Sequence, residues 1–367
     1  MKIGIFALLQ NIDPAYSVAT VVQSHIRIIK KYGHEPVLLT STDSSVTSEE
    51  VSGAEVRKVI PVWRLRDYAR NEPLTEEDMP RVKEVLMAIS PHIQDLDRLI
   101  DHDCCLQGWF KVHGDALNLL PNVCHVIHSV PGTQPVASLG EGHRLLVLNE
   151  NQVEKAKQAY DTQAVTAISN PLDIREYLNF GPITRRFIED WNLLSYDYIF
   201  TYPLSATRWN AKGVPFLTEF TKYMSSNGYR VAVVLLLAHA NAIGDVVLDF
   251  HHYSNASYPE HKNGVPREVV RDFMLLSDGF FLPSHSELSP LVHMEAALAK
   301  NIVYLNGSLN LTSKARKFNA ADRFNWNFDA LLRDFLESSK HLDEFRRVRK
   351  DMNEDVIGKR LIDWICA

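Results

Sequence analysis

Cysteine is scarce in this sequence of 367 residues. The four that occur are Cys104, Cys105, Cys124 and Cys366, of which two are adjacent and two stand apart. Four cysteines are too few for a dense disulfide framework, and their spacing is not that of a metal-binding cysteine motif. We therefore expect reduced thiols and a cytoplasmic protein.

Long hydrophobic runs are also missing. The longest run beyond the N-terminus, Val231 to Ala238, is far shorter than the roughly 18 residues that a membrane-spanning helix needs. The N-terminal stretch MKIGIFALLQ lacks the small-residue cleavage pattern of a signal peptide, so we predict a buried strand there. The sequence predicts a soluble protein with no transmembrane segment.

Neither positive nor negative residues are in large excess. The 45 acidic and 39 basic residues give a net charge of -6, which excludes a general attraction to nucleic acids or anionic membranes. A basic run at Arg346 to Lys350 could steer an anionic acceptor, but we interpret it as a solvated helical face.

What the sequence does contain is a repeated alternation of strands and helices. Hydrophobic residues make up 46% of the chain, enough for two or three cores. Lys2 to Leu9, Val18 to Tyr32 and Glu35 to Thr40 are predicted as strand, helix and strand, which implies a parallel sheet. The other predicted helices are 76–89, a possible one from His92, 151–160, 214–225, 266–276, 290–299, 328–337 and one from His341 onward. The other predicted strands are 123–127, 144–148, 164–168, 198–201, 230–237, 279–282 and 302–305.

This order predicts two consecutive α/β halves, each a doubly wound, Rossmann-like domain. Residues 1–174 are predicted to form the first domain and residues 175–345 the second, with residues 346–367 returning to the first. A turn is predicted at Ser169-Asn170-Pro171, just before the boundary between them. In such open sheets ligands bind outside the carboxyl ends of the strands.

The segment Leu282 to Leu298 carries the most specific pattern. Glu287 and Glu295 are separated by seven residues, with a helix expected to begin between them. Ser289 suits its N-cap and Pro290 its first turn. Free amides and the positive end of the helix dipole would then suit a phosphate, while the carboxylates suit hydroxyl groups.

This segment resembles glycosyltransferase family 4, whose hallmark is two glutamates with seven residues between them, after a Pro-Ser pair. The resemblance implies a GT-B fold, in which two Rossmann-like domains face each other across a cleft. It implies that Glu287 contacts hydroxyls of the donor sugar and Glu295 the nucleotide ribose. The start of the helix would bind the phosphates through Ser289, Leu291 and Val292.

Other segments match the same family. Tyr202 to Gly213 resembles its diphosphate-binding element, so Arg208 and Lys212 would neutralise the leaving pyrophosphate. His128, after a short strand, resembles a histidine that touches the donor sugar or the acceptor. Asp101-His102-Asp103 resembles an acidic turn of the same half. Tyr16 stands in the loop where the family has glycines, and we predict a contact with the acceptor.

The predicted function is a retaining, metal-independent glycosyltransferase that transfers a hexosyl or pentosyl group. Its donor is a nucleotide diphosphate sugar of the UDP or GDP type, with no further cofactor. The acceptor is left open among a glycan, a small molecule, a lipid and a modified nucleic acid. A nucleotide-sugar epimerase or glycosyl phosphorylase on the same fold is an alternative. The missing glycines also leave open a non-catalytic sugar-nucleotide-binding protein.

Overall fold

The chain forms two compact units. The computed structural model describes residues 1–12, 17–63, 75–102, 111–128, 139–243, 251–285, 290–309, 315–320 and 326–367. Unit 1 comprises Met1–Leu172 and Met352–Ala367, and unit 2 comprises Asp173–Asp351. The sequence-based boundaries lie at residues 174 and 345.

Unit 1 is built on a parallel seven-stranded sheet in the order β3-β2-β1-β4-β5-β6-β7. Its strands are β1 (Lys2–Phe6), β2 (Glu35–Ser41), β3 (Glu55–Ile60), β4 (Arg98–His102), β5 (Val123–Ile127), β6 (Arg144–Val147) and β7 (Val165–Ala167). Its helices are α1 (Ser17–Lys31), α2 (Met79–Ile89), α3 (Lys111–Asn118), α4 (Val153–Tyr160) and, from the second segment, α12 (Glu354–Cys366).

Unit 2 is built on a parallel six-stranded sheet in the order β10-β9-β8-β11-β12-β13. Its strands are β8 (Tyr198–Ser205), β9 (Val231–Ala238), β10 (His252–Ser254), β11 (Gly279–Leu282), β12 (Ile302–Asn306) and β13 (Arg316–Phe318). Its helices are α5 (Ile174–Tyr177), α6 (Pro182–Asp190), α7 (Val214–Ser226), α8 (Arg267–Leu276), α9 (Leu291–Leu298), α10 (Phe328–Ser338) and α11 (Asp343–Asp351).

Both sheets follow the Rossmann strand order, in which the first strand lies centrally and the order reverses beside it. The central strands are continuous apolar runs: β9 is buried from Val231 to Leu237, as expected for a parallel sheet covered on both faces. The predicted doubly wound architecture is therefore confirmed for each unit taken alone. None of the described helices combines the length and hydropathy needed to cross a membrane.

Helix α12 completes the core of unit 1. Its residues Leu361 and Ile365 are fully buried in the same cluster as Ile3 and Ile5 of β1. The chain enters this helix through Asn353, whose side-chain oxygen accepts hydrogen bonds from the amides of Asp355 and Val356. The Leu172 amide donates to the Met352 carbonyl oxygen, so both ends of the discontinuous unit are joined by backbone.

The structure corrects several predicted elements. The helix predicted from His92 does not form, because residues 98–102 are the strand β4, which lies between β1 and β5. Asp101 and His102 therefore belong to a strand and not to a turn. The edge strands β3, β10 and β13 were missed, as were helices α3, α5 and α6.

The basic run Arg346 to Lys350 is a solvated face only at Arg347, which is exposed and pairs with Glu344, and this corrects the interpretation of the run as a whole. Arg349 is fully buried and donates to Asp278 at 3.0 Å and to the Leu276 carbonyl oxygen at 3.1 Å. Lys350 pairs with Asp197. Helix α11 thus uses its basic residues to attach itself to unit 2, because a buried guanidinium requires a charged partner and hydrogen-bond acceptors.

Candidate functional site

Each sheet has a switch point where the strand order reverses, between β1 and β4 in unit 1 and between β8 and β11 in unit 2. Helices leaving neighbouring strands there diverge to opposite faces of the sheet, which opens a crevice at the carboxyl edge. The predicted residues Arg208, Lys212 and Pro283-Ser284 follow β8 and β11, and His102 ends β4. A ligand site is therefore expected at these two switch points.

In unit 2 the two loops at the switch point are hydrogen-bonded to each other. The amide of His285 and the hydroxyl of Ser284 both donate to the carbonyl oxygen of Ala211, at 3.3 Å each. The hydroxyl of Tyr202 donates to the carbonyl oxygen of Lys212 at 2.7 Å. The loop that carries the predicted cations is thus fixed against the start of the loop that leads to Glu287.

Gly213 permits this close approach. Its φ of 73° lies in the left-handed region, where residues with a side chain are strained. A Cβ atom at this position would lie 2.7 Å from both the Cβ and the carbonyl oxygen of Pro283. Glycine is required here by the backbone angle and by the contact between the two loops.

Asn306, at the end of β12, is a site residue that the sequence analysis missed. Its side-chain nitrogen donates to the carbonyl oxygen of Ser284 at 3.2 Å, and its oxygen accepts from the amides of Ser308 and Ala320. The side chain is fully buried. A lone asparagine ending an apolar strand was the available signal, since a buried amide must hydrogen-bond to backbone.

The predicted phosphate-binding cations lie on this fixed loop. Arg208 ends a short 3-10 turn, Ala206–Arg208, and its side chain is exposed. Lys212 is half-buried and stands directly before Gly213, the N-cap of α7. Two cations beside the positive end of a helix create a potential that favours an anion.

Helix α9 begins one residue later than predicted. Pro290, with a ψ of 116°, is its N-cap, and Leu291 is its first residue, so Ser289 is not the N-cap. Leu291 and Val292 lie in the first turn, whose amides have no partner within the helix. Proline fits the cap because its fixed φ suits an extended residue without an amide donor. Glu287 and Ser289 lie outside the described residues.

Glu295 lies in the second turn of α9, on the side that faces α8. Its carboxylate forms an ion pair with Arg267, the first residue of α8. Together these two residues line one end of an apolar groove of about 500 Å³ between α8 and α9. A carboxylate held by one oxygen still has a second oxygen that can accept a hydroxyl hydrogen bond.

The switch point of unit 1 contains a cluster of histidines. Nδ1 of His102 and Nε2 of His128 form a hydrogen bond of 3.0 Å, in which one ring donates and the other accepts. His25, on α1, lies against His102 with 5.0 Å between ring centroids. His25 Nδ1 has no hydrogen-bond partner among the described residues. The predicted His128 is therefore brought together with His102, and His25 is an addition.

Burial keeps these imidazoles neutral. Loss of solvation lowers the pKa of His25 to about 3 and that of His128 to about 4, and it lowers the pKa of His102 well below its usual value. Neighbouring imidazoles add to the shift at His25 and His102, because a second positive charge nearby would be repelled. At neutral pH the cluster can donate and accept hydrogen bonds without carrying charge.

A second histidine chain lies deeper in unit 1. His125 Nδ1 donates to Asp101 at 2.9 Å, its Nε2 lies 2.8 Å from His143 Nδ1, and His143 Nε2 donates to the Leu120 carbonyl oxygen at 2.7 Å. The sequence analysis missed His125 and His143. Asp101 and His125 are paired in register on β4 and β5, so the signal appears only once that register is known.

Tyr16 and Asp103 lie outside the described residues. Asp101, the other member of the acidic turn, is fully buried and bonded to His125.

Of the comparisons with known proteins, only the one with solved structures finds matches. No protein-family model and no curated protein sequence matches this chain. Sucrose-phosphate synthase from Thermosynechococcus elongatus is 11% identical with a TM-score of 0.38, over 99% of this chain and 97% of that chain. WaaG, a glycosyltransferase involved in lipopolysaccharide biosynthesis, is 13% identical with a TM-score of 0.36, over 99% of each chain. The catalytic domain of starch synthase IV from Arabidopsis thaliana is 13% identical with a TM-score of 0.35, over 100% and 98%. Likeness at these TM-scores establishes neither a family nor an activity for this chain.

Proposed function

We propose that this protein is a glycosyltransferase that moves a sugar from a nucleotide diphosphate sugar to an acceptor hydroxyl, with retention of anomeric configuration and without a metal. The resemblance of the segment Pro283 to Ala296 to glycosyltransferase family 4 is its starting point. Two Rossmann-order sheets are compatible with the GT-B arrangement implied by that resemblance.

The observation that carries the proposal is the connection of two motif segments at the switch point of unit 2. Ala211 accepts hydrogen bonds from both Ser284 and His285, so the loop with Arg208 and Lys212 lies against the strand end that leads to Glu287. The sequence spacing alone did not require the two segments to meet. A diphosphate between them would find cations on one side and the amides of α9 on the other.

The chemistry follows from where negative charge develops. When the bond between the sugar and the diphosphate breaks, the leaving oxygen gains charge, and Arg208 and Lys212 would stabilise it. Glu295 would accept hydrogen bonds from the ribose hydroxyls while Arg267 holds its other oxygen. Glu287 would hold the donor sugar. The acceptor hydroxyl would attack from the face that the diphosphate leaves, which retains the configuration, and its proton would pass to the departing diphosphate oxygen.

His128 would contact the sugar or the acceptor in this proposal. Its low pKa means that it offers a neutral imidazole, which can hydrogen-bond a hydroxyl without attracting the diphosphate. The hydrogen bond with His102 orients the ring, because one nitrogen is already committed.

A thermal-shift panel tests the donor class. UDP, GDP, ADP and their glucose conjugates are each added to the wild type, to Glu295→Ala and to Glu268→Ala. Glu268 lines the same groove but has no role in the proposal, so it is the matched control. At 100-fold excess over Kd a ligand that binds only the folded state stabilises it by about 2.7 kcal/mol. We expect a shift with one nucleotide in the wild type and in Glu268→Ala, and at least a tenfold weaker affinity in Glu295→Ala.

Two results would contradict the proposal: no shift in melting temperature with any of these nucleotides, or equal affinity in Glu295→Ala and the wild type.

Proton NMR tests the retention of configuration. The anomeric signal is followed while the wild type turns over the donor that binds. An α-linked donor yielding an α-linked product supports retention, and a β-linked product excludes it.

A second candidate is a sugar-nucleotide-binding protein without catalysis. The observation that favours it is the ion pair of Glu295 with Arg267, together with Pro290 at the helix start, where an amide donor is lacking. Nucleotide binding without donor hydrolysis or transfer, across a panel of acceptors, would support this candidate over the enzyme.

A further inference from the structure

The side chain of Asn306 joins four backbone groups from three loops at the carboxyl edge of the unit 2 sheet. Its nitrogen lies 3.2 Å from the Ser284 carbonyl oxygen and 3.5 Å from the Pro283 carbonyl oxygen. Its oxygen lies 3.3 Å from the Ser308 amide nitrogen and 3.4 Å from the Ala320 amide nitrogen. A carboxamide, with donors at one end and an acceptor at the other, satisfies this arrangement, and an ionised carboxylate does not.

The acceptor end determines how this carboxamide is turned. Only the side-chain oxygen can accept from the amides of Ser308 and Ala320, so the nitrogen must face the end of β11 at Ser284. Asn306 is fully buried, so water cannot supply a donor to these carbonyl oxygens if the side chain is changed. The bond to Ser284 therefore depends on this one residue type.

That bond fixes the orientation of the peptide group between Ser284 and His285. The carbonyl oxygen of this group accepts from Asn306, and its N–H, which belongs to His285, donates to the carbonyl oxygen of Ala211. A trans peptide group is planar, so its C=O and N–H point in opposite directions and turn together. By holding the carbonyl oxygen on one side, Asn306 keeps the N–H aimed at Ala211 on the other.

Ala211 belongs to the loop that carries the predicted cations. It is followed directly by Lys212 and by Gly213, the N-cap of α7. The hydroxyl of Ser284 also donates to the Ala211 carbonyl oxygen, but a hydroxyl can rotate about its own bond, whereas the peptide group cannot turn without losing both partners. The position of this loop therefore depends on the peptide group that Asn306 holds.

We infer that Asn306 is a positioning residue for the donor diphosphate. It holds the peptide between Ser284 and His285, and that peptide holds the loop of Arg208 and Lys212 against the end of β11. The inference rests on the proposed function, in which these two cations bind the diphosphate. Cations that are already in place bind and stabilise an anion without first rearranging, and this preorganisation raises affinity. Asn306 is buried beneath the loops, so it acts through the backbone and not by touching the ligand.

Aspartate variants at the two ends of β12 test the inference in the full chain. Asn306→Asp keeps the shape and the acceptor end but, when ionised, has no donor for the Ser284 carbonyl oxygen. Asn301→Asp is the matched control, because Asn301 is buried at the amino end of the same strand and also donates to a carbonyl oxygen, that of Met274, at 2.7 Å. Each variant loses a buried carboxamide donor, so both should have a lower melting temperature than the wild type.

Nucleotide affinity distinguishes positioning from a general loss of stability. Isothermal titration calorimetry with UDP, GDP and ADP gives Kd at a temperature where all three proteins are folded. We expect Asn306→Asp to bind the preferred nucleotide at least tenfold more weakly than the wild type, and Asn301→Asp to bind it as the wild type does. Without nucleotide, hydrogen exchange in peptides from Tyr202 to Gly213 should be faster only in Asn306→Asp.

The outcomes separate this inference from the proposed function. Equal affinity in Asn306→Asp and the wild type, or an equal loss in both variants, would overturn the inference while the proposed function stands. Wild-type exchange of the loop in Asn306→Asp would overturn it as well. A wild type that binds none of the nucleotides would overturn the proposed function and this inference with it. If the introduced charge prevents folding, the neutral pair Asn306→Ala and Asn301→Ala is compared, with the same expectations.

Discussion

The carboxyl edges of the two sheets share one strand order but carry different chemistry. At the edge of unit 1 are the imidazoles of His25 and His102, which are buried, and of His128, which is half-buried, and loss of solvation keeps all three neutral. At the edge of unit 2 are Arg208 and Lys212 on a loop fixed by backbone hydrogen bonds. The same scaffold thus offers neutral hydrogen-bonding groups in one unit and positive charge in the other.

This difference teaches that strand order determines where a site lies, whereas the residues after each strand determine what it can bind. One fully buried ion pair of unit 2 lies at the opposite, amino edge of its sheet, where Arg349 meets Asp278 just before β11. This structural pair is therefore separate from the cations of the loop after β8.

The largest expected effect removes that structural charge. Arg349→Ala leaves the buried Asp278 with only the more distant Arg346, at 3.6 Å, as its charged partner. We therefore expect unit 2 to lose about 3 kcal/mol of unfolding free energy. Arg347→Ala, on the same helix, breaks only the exposed pair with Glu344 and should leave the unfolding free energy nearly unchanged, because solvent screens that pair. Urea denaturation measures both, and equal midpoints would contradict the assigned role of Arg349.

The second prediction concerns how the stability of unit 1 depends on pH. The pKa of His25 is about 3 when folded against about 6.5 when unfolded, so between these values the unfolded chain binds a proton that the folded chain does not. The unfolding free energy should therefore fall, as pH drops below 6.5, by about 1.4 kcal/mol per pH unit for this residue. Above pH 6.5 both states are neutral and the effect vanishes.

His25→Leu should remove the part of this slope that His25 contributes. The difference in unfolding free energy between variant and wild type should therefore shift by about 2 kcal/mol in favour of the variant when the pH is lowered from 7 to 5. His239→Asn, at an exposed position of unit 2, is the control and should keep the wild-type slope. Hydrogen exchange read by peptide assigns the change to a unit. An unchanged slope in His25→Leu would contradict the burial argument.

The third prediction tests how the loops of unit 2 meet. Gly213→Ala combines left-handed strain, about 1–2 kcal/mol, with the collision against Pro283. Gly228→Ala has the same strain at φ 89°, but nothing lies within 4 Å of its added Cβ. We expect Gly213→Ala to destabilise more than Gly228→Ala and to weaken nucleotide binding. Equal effects would show that the contact with Pro283 is unimportant.

The smallest expected effect comes from removing one helix cap in each unit, and it tests whether the two units unfold independently. Asn353 caps α12 in unit 1 and Asn327 caps α10 in unit 2, each through its side-chain oxygen. Replacing either with alanine should cost about 1 kcal/mol in its own unit. Hydrogen exchange should show faster opening only in unit 1 for Asn353→Ala and only in unit 2 for Asn327→Ala. Loss of protection in both units would indicate that they unfold together.

Much of the fold could be predicted because apolar runs and helical spacing are local signals. Val231 to Ala238 and Val123 to Ile127 are identified from composition alone, since strands buried on both faces consist of consecutive apolar residues. Strand β4 was mistaken for a possible helix because Leu96, Leu99 and Ile100 also fit helical spacing. The edge strands β10 and β13, of three residues each, are too short to show a period.

The candidate site was predictable only in part. The Pro-Ser pair, Glu295 and the cations were identified by resemblance, and the structure brings Ala211 and Ser284 together without testing the residues' roles. The pairing of Glu295 with Arg267 joins residues 28 positions apart, and Asn306 bonds to a loop 22 positions earlier. Such partners depend on tertiary packing, which no local pattern in the sequence encodes.

The discontinuity of unit 1 has a consequence for how the protein is made. During synthesis on the ribosome, all of unit 2 emerges before α12 does, and domains generally fold as soon as their own residues are available. Unit 2 can therefore be finished while unit 1 still lacks the helix that seals its core through Leu361 and Ile365. The half of the chain that is translated first is the half that matures second, with an open apolar surface for chaperones to cover in the interval.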